Sequence, residues 1–265
     1  MPTNEEIMEE RFVAFIDILG FKEIVRNIEA DNSPDNLALS TVKSVLNFMD
    51  EETYEPNYCS DLPIYIKTED GFLEKELGDP RLTYVSDCII ISAEPTIDGF
   101  KGLSRKIHKI TADLACDGIF CRGAITKGKL FHKGRILFGS SYIRAFTLEE
   151  EMAKFPRVII DPEIIDFFEL KEGEMPLAPA FFGLDTDGLY YQRYWTWYLF
   201  PPHAGSFESY LHRVYTHIEK KLNEFRDTPR VLEKYKWLDR EFKSLISWWQ
   251  DLELMVLEEH DSRLV

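Results

Sequence analysis

Two aspartates sit where an acid is expensive. Asp17 interrupts the apolar run at 11–19 (RFVAFIDIL), and Asp87 lies inside 82–92 (LTYVSDCIIIS). A carboxylate withdrawn from water is strongly disfavoured unless it is paired or bound to a cation. If the two segments are neighbouring strands, both carboxylates can converge on Mg2+ or Mn2+, hard cations that take oxygen ligands and keep contact with substrate phosphates. Two such ions per site would suit phosphoryl transfer. The competing expectation is structural: Asp17 caps a helix after Gly20, and Asp87 occupies a hairpin turn.

Several elements must position these acids. Residues 11–19, closed by Gly20 and followed by FKEIVRNIEA, predict strand, turn and helix. A second helix is expected over 34–49, then an acidic, irregular surface excursion over 51–80 with a short strand at 64–67. Residues 82–92 have the β-branched content of two short strands joined at Ser86 and Asp87, or of one bent strand. Phe100, Leu103, Ile107, Ile110 and Leu114 recur at helical spacing. Residues 118–126 predict a strand, followed by a polar hairpin through Gly128, Lys133 and Gly134. A helix over 140–154, a strand over 157–160 and a short helix over 164–170 complete the order β-α-α-β-β-α-β-β-α-β.

Beyond Pro179 an aromatic hairpin is expected to turn at Asp187-Gly188, a favoured two-residue turn. Its dense aromatic residues read as core or interface packing. Two amphipathic stripes follow, Phe207 to Phe225 and Leu232 to Trp249, parted near Pro229, so that 201–265 form a helical extension to a domain at 1–200.

The chain has 265 residues, 45% hydrophobic, with a formal net charge of −16 and a pI near 4.9. That balance argues against a nonspecific grip on nucleic acid, which rests on clustered Lys and Arg. A small anionic ligand would need a metal or a local basic patch, and Lys127, Lys129, Lys133 and Arg135 form such a patch in the sequence. The alternative for these four is a solvated hairpin. No run of about 18 apolar residues occurs, and the first residues, MPTNEEIMEER, are acidic, so a cytoplasmic protein without a membrane partner is expected. Four cysteines without CxxC spacing and six scattered histidines suggest no zinc site, and buried free thiols are expected. Phosphate-loop, nucleophile-elbow and HExxH motifs are absent from the sequence.

Phe15-Ile16-Asp17-Ile18-Leu19-Gly20-Phe21 resembles the FxDIxGF segment of class III nucleotidyl cyclases. Val85-Ser86-Asp87-Cys88 falls where that family places a Gly-Asp hairpin, and Arg122-Gly123-Ala124-Ile125-Thr126-Lys127-Gly128 is similar to its RxGIxxG strand. Phe138-Gly139 matches its WG pair, and Leu148-Glu149 follows in register. The resemblance spans about residues 11–165 and rests on order and spacing more than on identity. It implies an α+β, ferredoxin-like palm sandwich, here with a C-terminal helical hairpin. It also implies two metal ions held by Asp17, Asp87 and the main-chain carbonyl of Ile18, a nucleoside triphosphate substrate, a cyclic nucleotide product, and a site formed between the chains of a homodimer.

The chain departs from the family where base and transition state are contacted. The base-selecting acid falls on Ser140, the transition-state Asn on Ile143, the transition-state Arg on Thr147, and the base-contacting Lys on Thr83. Ile143 cannot donate a hydrogen bond, and Thr147 cannot stabilise phosphoryl charge as a guanidinium does. Arg144, beside the lost Asn, and Lys22, at the start of the first helix, are candidate catalytic replacements, with the basic patch as triphosphate contacts. The base stays unspecified; pyrimidine cyclases of antiphage signalling belong to the same superfamily. Two alternatives remain: a degenerate cyclase-like module that binds nucleotide or oligomerises, and a palm enzyme that joins two nucleotides.

Overall fold

The computed structural model describes residues 8–31, 65–67, 73–76, 78–167, 181–193, 195–196 and 207–262. Within them, eight strands build one mostly antiparallel sheet flanked by six helices, and a separate two-stranded sheet stands apart.

The apolar run containing Asp17 forms the central strand β1 (Glu9–Ile18). It is buried on both faces, which is why its sequence reads as nearly continuous hydrophobe rather than as an alternation. Phe12, Ala14, Ile16 and Ile18 point into one core cluster, and Val13 and Phe15 into another. Gly20, at φ 78°, turns the chain into α1 (Phe21–Ala30), a left-handed backbone that glycine adopts without penalty. The expected helix over 34–49 lies outside the described residues. Among the described residues, strands β2 (Tyr65–Lys67) and β3 (Leu73–Glu76) pair with each other alone, so the excursion over 51–80 carries an antiparallel strand pair where one short strand was expected.

Strands β4 (Arg81–Val85) and β5 (Cys88–Ala93) are joined by the two-residue turn Ser86-Asp87, with Ser86 at φ 59°. This settles the choice between two strands and one bent strand. Helix α2 (Ile97–Cys116) starts at Thr96, whose side chain accepts a hydrogen bond from Gly99 N–H, and lays Phe100, Leu103, Ile107, Ile110 and Leu114 on the sheet.

Strand β6 (Cys121–Lys133) corrects the expectation of a strand ending near Thr126 with a hairpin through Gly128. Gly128 stays in the ladder opposite Arg11, and the turn comes at Gly134, before β7 (Ile136–Phe138). The strand continues because Leu130 and His132 are buried at its far end. His132 lies within hydrogen-bond distance of Thr83 Oγ1 at 2.8 Å and Ser92 Oγ at 2.7 Å. Helix α3 (Ser140–Glu151) then crosses over the sheet to β8 (Val158–Ile160), which runs parallel to β6. A parallel neighbour requires such a crossover.

Helix α4 (Pro162–Phe167) precedes the hairpin of β9 (Phe182–Leu184) and β10 (Tyr190–Gln192), which completes the sheet in the order β4-β5-β1-β6-β8-β10-β9, with β7 on β6. Its turn spans the expected Asp187-Gly188. Helices α5 (Phe207–Glu224) and α6 (Pro229–Ser262) form the expected helical pair. They share a core with the sheet through Val214, Ile218, Trp237, Leu238 and Phe242, packed with Phe120, Ile159 and Tyr191.

Candidate metal centre

Alternation along β1 places Asp17 on the same face as Val13 and Phe15, beneath α3. In the ladder Asp17 stands between Cys88 of β5 and Arg122 of β6, so the three form one row across the sheet. Asp87 reaches the row from the β4–β5 turn. Its carbonyl oxygen accepts the Ile18 N–H at 2.9 Å, which ties the turn to the end of β1. One ligand atom from each of Asp17, Asp87 and Cys88 lies within 4.8 Å of the others. Gly123 lets β6 come this close to β1: a Cβ there would collide with the Phe15 carbonyl oxygen.

The set fits a divalent cation. The two carboxylates are hard oxygen donors suited to Mg2+ or Mn2+, and the Cys88 thiol adds a softer donor. Burial, followed by Asp87 and Asp17, pushes the Cys88 thiol up to about 12. It therefore stays protonated until a cation competes for the sulfur.

Arg122 is the counter-charge. Its Nε donates to Asp17 Oδ2 at 3.3 Å and also lies against Glu149, a buried acid on α3. Burial raises the Asp17 carboxyl above its ordinary value; Arg122 opposes this and Asp87 reinforces it. Glu149 is raised from 4.5 to about 7, mainly by burial, opposed by Arg122 and assisted by Asp17. Lys234 of α6 belongs to the same electrostatic group: burial and Arg122 lower its pKa, while Asp17 and Glu149 act in the other direction.

The raised Glu149 has a measurable consequence. The folded chain holds this proton at pH values where the unfolded chain has released it. Stability should therefore fall as pH rises from about 4.5 to about 7, by at most about 3 kcal/mol. Glu149→Gln cannot ionise, so urea denaturation at about pH 5 and about pH 8 should show the variant gaining on wild type at the higher pH. An equal difference at both pH values would mean that Glu149 is ionised throughout.

The other sequence candidates lie elsewhere. Arg144 of α3 is turned to Asp161, with Nε–Oδ2 at 2.6 Å, and to Glu163 at 3.2 Å, some four strand positions from Asp17. Lys22 is exposed on the first turn of α1. Lys127 and Lys129 face Glu10 at 3.3 and 3.9 Å, and Lys127 also covers the Phe167 ring, so the patch is partly neutralised; Lys133 and Arg135 are exposed around the β6–β7 turn. Thr83, at the family's base-contacting position, is committed to His132 and the Gly134 carbonyl.

Sequence reading assigned no role to Cys88, Arg122, Glu149 or Lys234. Arg122 carried the same signal as Asp17, a charge inside an apolar strand. Glu149 was legible as an acid in the buried stripe of α3 formed with Ser141, Ala145 and Leu148. Compared with models of known protein families and with curated proteins, the chain matches none.

Proposed function

We propose that this chain is a metal-dependent nucleotidyl cyclase of palm architecture, forming a cyclic nucleotide from a nucleoside triphosphate. The observation that carries the reading is the meeting of Asp17, on β1, and Asp87, on the β4–β5 turn, with ligand atoms within 4.8 Å beside the Ile18 main chain. Bound Mg2+ or Mn2+, two per site, would neutralise phosphate charge and lower the pKa of the ribose 3′-hydroxyl. Asp17 and Asp87 would hold the ions. Arg122, released from Asp17 when that carboxylate turns to a cation, would meet the triphosphate with its guanidinium. In-line attack of the 3′-oxygen on the α-phosphorus breaks the bond to the β-phosphate and releases pyrophosphate. The proton of the hydroxyl goes to solvent.

A homodimer accords with apolar side chains left exposed around the site: Val85 beside the Ser86-Asp87 turn, and Ile143 and Phe146 on α3. A second reading, nucleotide binding without turnover, is favoured by α3 itself. Ile143 is exposed and apolar, and the Thr147 hydroxyl is turned back to the Ile143 carbonyl at 3.0 Å, so neither is offered as a donor.

The test is incubation of the purified chain with ATP, GTP, CTP and UTP in turn, with Mn2+, beside Asp17→Ala and Asp87→Ala, followed by chromatography of the products. A cyclic product absent from both variants supports cyclisation and names the base, and a linked dinucleotide would replace it as the reaction. No product, with a melting temperature raised by Mn2+ and nucleotide in wild type alone, supports the binding module. No response of either kind removes both readings.

A further inference from the structure

Helix α6 carries a lysine, Lys234, that interacts electrostatically with Asp17, Glu149 and Arg122 of its own chain. Helix α6 is fixed on both sides of Lys234. The Thr228 carbonyl accepts N–H groups from Val231 and Leu232, and the Tyr235 ring stands edge-on to Phe120 at 6.0 Å and stacks on Phe225 at 5.7 Å. Trp237 stacks on Phe155 at 5.7 Å, and its indole N–H donates to Asp185 at 2.8 Å. Phe120 and Leu148, in the same core cluster as Tyr235 and Leu238, stand two positions before Arg122 and one before Glu149. These contacts seat α6 beside the segments that carry Arg122 and Glu149, and Lys234 is near enough to Asp17, Arg122 and Glu149 to interact with their charges.

Lys234 is half-buried, yet forms no hydrogen bond or ion pair with a described residue, although Asp17 and Glu149 are close enough to act on its charge. Arg122 is close as well, so two cations share one small region. A lysine that is only a surface charge would extend into water, away from an arginine.

The charges of the group decide what it can receive. Asp17, Asp87 and Glu149 supply three negative charges when ionised, against two positive charges from Arg122 and Lys234. One divalent cation makes the total positive by one, and two make it positive by three. The centre would then be complementary to a polyanion, with Lys234 and Arg122 as its two cationic side chains.

We propose that Lys234 is a polyphosphate-binding residue of this site, contributed in cis by α6, and that it grips the phosphate chain of the ligand beside the metal-bound carboxylates. The proposal rests on the metal-dependent reading above and supplies, from the same chain, a cation that the α3 positions Ile143 and Thr147 cannot.

Titration calorimetry with Mn2+ alone, and then with inorganic tripolyphosphate on the Mn2+-saturated protein, separates the two ideas. Wild type, Lys234→Gln, Lys234→Arg, Asp17→Ala and, as a control on the exposed side of the same helix, Lys236→Gln would be compared. Lys234→Gln should bind tripolyphosphate at least ~10-fold more weakly while keeping or tightening its affinity for Mn2+. Lys234→Arg should recover much of the loss, and Lys236→Gln should match wild type. Equal tripolyphosphate affinity in Lys234→Gln and wild type overturns the role of Lys234 and leaves the metal reading standing. So does a wild type that binds Mn2+ through Asp17 but takes up no tripolyphosphate. Mn2+ binding that is the same in Asp17→Ala as in wild type overturns the metal reading, and this proposal with it.

Discussion

Arg157→Ala is expected to lower the free energy of unfolding by about 3–5 kcal/mol, the range for breaking a buried ion pair and leaving its partner uncompensated. Arg157 is fully buried just ahead of β8, and its guanidinium joins Asp185 and Asp187 at the β9–β10 turn. The rings of Phe155, Tyr191 and Trp237 surround it, with centroids 5.5, 5.7 and 6.0 Å from Cζ. Removing it leaves the Asp185 carboxylate, itself 6% exposed, with neutral donors alone, the Trp237 indole on Oδ2 and the Thr186 N–H and hydroxyl on Oδ1. Urea denaturation of the single variant measures the loss. Arg157→Met separates the causes, because it keeps much of the contact with the rings but no charge. A methionine variant near wild type would assign the loss to packing, and one near the alanine variant would assign it to the stranded carboxylates. A loss below about 1 kcal/mol in Arg157→Ala would mean that the aspartates find water instead. The clasp matters beyond stability, since Trp237 is three residues from Lys234 and the same contacts seat α6.

Much of the sheet was legible because β1, β5 and β8 are buried on both faces and so carry apolar runs. Asp17 and Asp87 stood out against those runs, and the two-residue turn between β4 and β5 brought the second acid to the first as their spacing suggested. The end of β6 was misjudged because Gly128, Lys129 and Lys133 look like turn chemistry. The backbone follows instead the buried pair Leu130 and His132, a tertiary demand that local sequence does not display. The basic residues illustrate the same limit. Lys127 and Arg144 read as free cations in an acidic chain, yet Glu10 and Asp161, distant in sequence, engage them. Lys234 was hidden for the opposite reason: a lysine beside an apolar helical stripe resembles any solvated position until the helix is placed on the sheet.

Arg122→Ala should separate the two jobs that the geometry gives this side chain, because its effects on metal and on turnover run in opposite directions. Without cation, Arg122 neutralises Asp17 at 3.3 Å and lies against Glu149, so it competes with any ion for the Asp17 carboxylate. Its removal should leave Mn2+ affinity unchanged or tighten it several-fold, as read by calorimetry. In the reaction proposed here, the same guanidinium faces phosphate charge that grows towards the transition state. Preorganised donors of this kind are each worth roughly 10²–10³-fold in rate, so product formation should fall by about that factor. Its terminal nitrogens form no hydrogen bond with a described side chain, which leaves the planar fork available to a phosphate. Arg122→Lys should recover only part of the rate, because an ammonium keeps the charge and loses the two-pronged geometry. A parallel loss of Mn2+ affinity and rate in Arg122→Ala would show instead that Arg122 acts by holding Asp17 in place, and a variant as fast as wild type would remove it from the reaction. The opposite signs follow from electrostatics alone: a cation that shields a carboxylate from a metal is free to meet a polyanion once that metal binds.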